Sequence, residues 1–82
     1  MYDRHRLSRL AISEEGFGFD PDSGASFELN PTAVRVIEAL IAGADEDLIT
    51  ADLSARGRVP SIRARADLRD FMEQLRGAQL LH

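Results

Sequence analysis

The spacing of apolar residues changes along this chain of 82 residues. Leu7, Leu10 and Ile12 give a weak strand signal, in which only Leu10 and Ile12 alternate cleanly. Phe17 and Phe19 alternate with Gly16 and Gly18, which predicts a second strand. Asp20-Pro21-Asp22-Ser23-Gly24 predicts a turn, with Pro set for its second position and Gly free to take positive φ. Ala25, Phe27 and Leu29 then share one face of a third strand. Three short strands in succession predict an antiparallel meander.

From residue 31 the period lengthens to that of a helix. Val34, Ile37 and Ile41 form one stripe, widened by Ala33, Val36 and Leu40, over a helix at 31–42. Asn30 fits its N-cap and Pro31 its first position, where the missing N–H costs nothing. Gly43 ends it. Asp45 caps a second helix, with Glu46 and Asp47 favourable at its positive end. Leu48, Ile49 and Leu53 are its expected core contacts, and Gly57 its stop. After Arg58-Val59-Pro60, Ser61 is placed to cap a last helix over 62–77. Leu80-Leu81 is expected to fold back onto the core. The expected architecture is one α+β domain over 1–82: a three-stranded antiparallel sheet followed by three helices, like a winged helix-turn-helix.

The last helix carries three distinct stripes. Ala64, Leu68, Phe71 and Leu75 form the expected core face. Arg65, Arg69, Met72 and Arg76 form a neighbouring basic stripe, and Asp67, Asp70 and Gln74 lie on the other flank. A strand passing straight into a helix at Phe27 to Ala33 leaves a groove, and the last helix is expected to line it. The basic stripe reads either as that wall, with Met72 as adaptable apolar contact and arginines meeting carboxylates, or as a solvated face with pairs such as Glu73 with Arg76.

Composition narrows the chemistry. The net charge is −4, which argues against a general nucleic-acid binder. The charge is uneven: residues 1–53 hold four arginines against eleven acids, residues 54–82 six against three. All ten basic residues are Arg. With no cysteine there is neither disulfide nor thiolate metal site, which together with the absence of a signal-like N-terminus implies a cytoplasmic protein. No apolar run approaches the roughly 20 residues of a membrane helix. His5 and His82, both near chain ends, do not make a metal site, and the serines have no histidine near them in sequence. No glycine pattern matches a phosphate loop. The expectation is a binding protein, not an enzyme, with no cofactor and no metal.

From about Leu10 to Leu81 the chain resembles the PqqD-like family of peptide-binding proteins, also called RiPP recognition elements. The resemblance rests on Ser26-Phe27-Glu28-Leu29-Asn30, Thr32-Ala33 with Val36-Ile37, and Asp45-Glu46-Asp47-Leu48-Ile49. It continues through Asp70-Phe71-Met72-Glu73-Gln74-Leu75, Gly77 and Leu80-Leu81. The loop from Gly57 to Ile62 and the Arg-rich helix start depart from the commonest pattern. The resemblance implies a non-catalytic chaperone that binds the leader segment of a ribosomally made precursor peptide. It would present that peptide to a modifying enzyme, a radical SAM or kinase-like protein. The leader would add as a strand along Ala25, Ser26, Phe27, Glu28 and Leu29, in a groove walled by the last helix. The wall residues expected from the basic stripe are Arg65, Arg69, Met72 and Arg76.

Two other readings compete. A winged-helix DNA binder would use Arg56, Arg58, Arg63, Arg65 and Arg69 as its basic end. An assembly subunit would dimerise through the open strand edge.

Overall fold

The computed structural model describes residues 5–80. A one-turn helix α1 (His5–Ser8) leads into strands β1 (Ala11–Ile12), β2 (Phe17–Phe19) and β3 (Ser26–Glu28). Helices α2 (Pro31–Ile41), α3 (Glu46–Gly57) and α4 (Ser61–Gly77) follow. The strands form an antiparallel sheet in the order β1-β2-β3. The α+β class and the order of strands before helices are therefore as expected. The exception is Leu7, which lies in α1 rather than in a strand. Its three-residue spacing from Leu10 lets both point into the core across a turn closed by the Leu10 N–H donating to the Leu7 carbonyl at 3.1 Å.

The turn before β3 is built by Asp20, a buried acid. Its carboxylate accepts from the Asp22 N–H at 3.0 Å and the Ser23 hydroxyl at 2.8 Å, and its carbonyl accepts from the Gly24 N–H at 2.8 Å. This side-chain-to-backbone turn fixes where β3 starts. At the other end of the sheet Gly16, at φ +95°, accepts from the Leu29 N–H at 2.6 Å. A Cβ there would sit 2.6 Å from the Leu29 carbonyl oxygen, so only glycine lets the strands close this tightly.

Within the sheet, Ile12, Gly18 and Phe27 are register partners facing the helices, while Phe17 and Phe19 face outward and stay about half exposed. Gly18 is buried, and a Cβ on it would lie 3.0 Å from a Leu29 methyl and 3.3 Å from a Leu10 methyl. The small residue on the inner face leaves room for the Leu10 and Leu29 side chains above the strand.

Asn30 and Asp45 cap α2 and α3 as expected, accepting from the Ala33 N–H at 2.7 Å and the Leu48 N–H at 2.8 Å. Ser61 does not cap α4; it is the first helical residue, and the Pro60 carbonyl takes the N–H groups of Arg63 and Ala64, each at 3.0 Å. The left-handed residue ending α3 is Arg58 (φ 53°), one position past Gly57, held by the Ser54 hydroxyl donating to the Val59 carbonyl at 2.6 Å. Leu80 folds back as expected and is fully buried, with its N–H donating to the Leu75 carbonyl at 2.9 Å. Leu81 lies outside the described residues.

The core joins Leu7, Leu10, Val36, Ile37, Leu40, Ile49, Leu68, Met72, Leu75 and Leu80. The faces of two helices differ from expectation. On α2, Val36, Ile37 and Leu40 are buried while Ile41 is exposed. On α3, Ile49 and Thr50 are buried while Leu48 is 64% exposed. Both helices are rotated so that their core contacts point at α4 and α1, which periodicity alone does not locate.

Candidate functional site: the groove between the third strand and the last helix

The register of the sheet decides which backbone groups β3 offers. The Asp20 N–H donates to the Ala25 carbonyl at 2.9 Å, and the Leu29 N–H to the Gly16 carbonyl. In antiparallel pairing the hydrogen-bonded positions alternate, so Ala25, Phe27 and Leu29 turn their backbone toward β2. Ser26 and Glu28 turn their N–H and C=O groups to the open side, where no strand lies among the described residues. An edge of this kind is a template for another strand.

The open side of β3 borders a hollow of about 380 Å³. Its floor is apolar: Leu10, Phe27, Leu29, Val36, Ile37, Leu53, Leu68, Leu75 and Leu80. Its strand rim carries Glu28 and Asn30, and the start of α2 supplies Thr32 and Ala33. The α4 wall is Asp67, Phe71, Gln74 and Ala78. Phe71 is half-buried, with its ring packed against the core and lining the hollow. The hollow continues past Thr32, Leu53 and Asp67 into a second one bordered by Arg35, Arg56, Val59 and Ala64.

The strand residues expected at the site, Phe27, Glu28 and Leu29, line this hollow, and Ser26 and Ala25 precede them on the same edge. The basic stripe lies elsewhere. The Arg65 guanidinium donates to Asp47 at 2.7 Å and lies 3.6 Å from Glu46. Arg69 donates to Glu46 at 2.7 Å. Arg65 is held above its ordinary range, first by the Asp47 hydrogen bond and also by the charges of Asp47 and Glu46, against some desolvation. Arg76 pairs with Glu73 on its own helix, one of the pairs foreseen for a solvated face. Met72 is buried in the core. None of the four lines the hollow beside β3.

The physical reason is the rotation of α4. Adjacent residues are about 100° apart around a helix, so Phe71 and Met72 flank the Leu68–Leu75 axis on opposite sides. α3 packs on the Met72 side, and its acidic first turn, Glu46 and Asp47, draws Arg65 and Arg69 over the contact. Phe71 is left on the open side with Asp67 and Gln74. Of the five arginines expected at a basic nucleic-acid end, Arg56, Arg65 and Arg69 are engaged by Asp52, Asp47 and Glu46.

Sequence reasoning missed Phe71 and Asp67 as wall residues. The one signal for them was the flank Asp67, Asp70 and Gln74, opposite the arginines. Among the described residues there is no cluster of three or more histidines, cysteines or carboxylates that could hold a metal. No helix among them is long and apolar enough to cross a membrane.

No curated protein and no solved structure matches the chain significantly. The family model described as coenzyme PQQ synthesis protein D (PqqD) matches residues 15–81, which takes in β2, β3 and the helices α2, α3 and α4. That family consists of peptide-binding proteins associated with a precursor peptide and a partner enzyme of coenzyme synthesis. With the fold and nearly the full length in agreement, this chain belongs to the PqqD family.

Proposed function

We propose that this protein binds an extended segment of a ribosomally made precursor peptide as a fourth strand beside β3 and hands the peptide to a modifying enzyme. The observation that carries this reading is the open edge at Ser26 and Glu28 directly bordering an apolar hollow walled by α4. Main-chain hydrogen bonds to those two residues supply affinity for any extended chain, and pockets for alternate side chains supply selectivity. Phe27, Leu29 and Phe71 are the apolar contacts for side chains of the bound strand that point inward.

In this reading the protein performs no bond chemistry. Its partners are the leader segment and an enzyme of the radical SAM or kinase-like kind, all in the cytoplasm where such peptides are made. A second copy of the chain pairing along the same edge would compete with the peptide, and mass measured across concentration separates the two.

The test is titration of the isotope-labelled protein with the leader of a short precursor peptide, if one is encoded near its gene, or otherwise with a panel of extended synthetic peptides. The expected result is chemical-shift change at Ser26, Glu28, Phe71 and Gln74. Proline replacement in the peptide at a residue donating to Ser26 or Glu28 removes the ladder bond and is expected to abolish binding. Binding indifferent to proline at every peptide position overturns strand addition.

A further inference from the structure

The groove along α4 is longer than the strand edge it faces. Ala64, Asp67, Phe71, Gln74 and Ala78 recur at helical spacing on one side of α4, and between them they line both hollows. From Ala64 to Ala78 this side of the helix runs about 21 Å. The open edge of β3, from Ser26 to Glu28, covers only about 7 Å. The second hollow, of about 430 Å³, lies past the end of β3, where the chain turns through Asn30 into the first turn of α2. It shares Thr32, Leu53 and Asp67 with the hollow beside β3.

The apolar lining of this second hollow is Pro31, Leu53, Val59 and Ala64, with Leu53 and Val59 half-buried. Its charged residues have both signs, Arg35, Arg56 and Asp67, and Arg56 already donates to Asp52 at 2.7 Å, so charge does not select an occupant. The Val59 wall is fixed from both sides of its peptide unit: its carbonyl accepts from the Ser54 hydroxyl at 2.6 Å, and its N–H donates to the Ser54 carbonyl at 3.2 Å. We infer that the peptide strand held beside β3 runs on past Glu28 and seats a second apolar anchor, an aliphatic side chain, among Leu53, Val59 and Ala64. This rests on the strand-addition reading above and adds a second subsite to it. An extended chain rises about 3.3 Å per residue, so a segment filling the whole groove is about six residues long, of which the ladder at Ser26 and Glu28 holds about half. The ladder takes any extended main chain; two anchors at a fixed separation make the segment selective.

The test is selection from a displayed library of random twelve-residue peptides on the full chain, followed by titration of selected peptides into labelled protein. The expected outcome is two apolar anchors per peptide, with shifts at Ser26 and Glu28 and also at Thr32, Leu53 and Val59. Alanine at the outer anchor should weaken binding about tenfold and remove the shifts at Leu53 and Val59, while those at Ser26 and Glu28 persist. Val59→Ala, with its fold verified by circular dichroism, should weaken the two-anchor peptide similarly and leave the alanine-substituted one unchanged, so that the double-mutant cycle shows coupling between the two side chains. Peptides that shift Ser26 and Glu28 with one anchor sufficient and Leu53 and Val59 unmoved overturn the second subsite and leave strand addition standing. Selection that yields no peptide, or peptides that leave Ser26 and Glu28 unmoved, overturns both.

Discussion

The two flanks of α4 differ in what their charges meet. On one side, Arg65 and Arg69 reach across to Glu46 and Asp47 at the start of α3, and Met72 beside them is buried. On the other, the Asp67 and Gln74 side chains make no hydrogen bond or ion pair among the described residues, and Phe71 between them is only half-buried. The first flank fastens helix to helix. The second is the wall of a groove whose opposite rim is the open edge of β3. Charge alone does not mark a binding surface: the more conspicuous stripe, with three arginines, is already occupied by the fold.

Substitutions at adjacent positions break this comparison most sharply. Met72→Ala removes a buried side chain and should cost about 2–5 kcal/mol of folding free energy by denaturant titration. Phe71→Ala should cost roughly 1 kcal/mol of stability, because the ring is only partly withdrawn from water, yet weaken peptide binding roughly tenfold. Equal loss of stability at the two positions would mean that the flanks are not distinct.

Gly16→Ala tests whether the closing of β2 on β3 shapes the strand rim. The new methyl group meets the Leu29 carbonyl at a positive φ, and a loss of about 1–3 kcal/mol is expected, with amide shifts spreading from Gly16 into β3. Glu46→Ala takes the acceptor from Arg69 and the nearby charge from Arg65, which keeps its hydrogen bond to Asp47. It should lower the melting temperature slightly, by an amount that fades at high salt, and leave peptide affinity unchanged. From the arginine side this contact has no pH dependence near neutrality. The folded value of Arg65 is raised, so its contribution is complete below the ordinary arginine value and is lost only as pH climbs through the folded one. The smallest expected effect is a gain: Arg58→Gly relieves a left-handed arginine at the end of α3 and should add about 0.5–1 kcal/mol.

Local signals in the sequence were legible where one residue acts on its neighbours. Asn30 and Asp45 cap helices because their carboxamide and carboxylate oxygens reach an N–H three residues on. Gly43 takes the positive φ that ends α2. Alternation at Phe17 to Phe19 and Ser26 to Glu28 gave both strands and hence the open edge. The side of α4 that faces the groove was not legible. Phe71 and Met72 are both apolar and flank the same core axis, so periodicity does not choose between them. The choice is made by contacts 18 and 23 residues distant, from Asp47 to Arg65 and from Glu46 to Arg69. The exposure of Leu48 and Ile41 has the same origin, since partner positions, not helical period, decide which edge of a broad apolar face is covered.

In the proposed function an extended peptide enters on the β3 side of α4. Amide shift mapping of the labelled protein with such a leader peptide, or with a panel of extended synthetic peptides, tests this most directly. Strand addition on this side predicts changes at Ser26 and Glu28 together with Asp67, Phe71 and Gln74, and an unmoved set at Arg65, Arg69 and Glu46. Changes centred on Arg65 and Arg69, with Ser26 and Glu28 still, would contradict it.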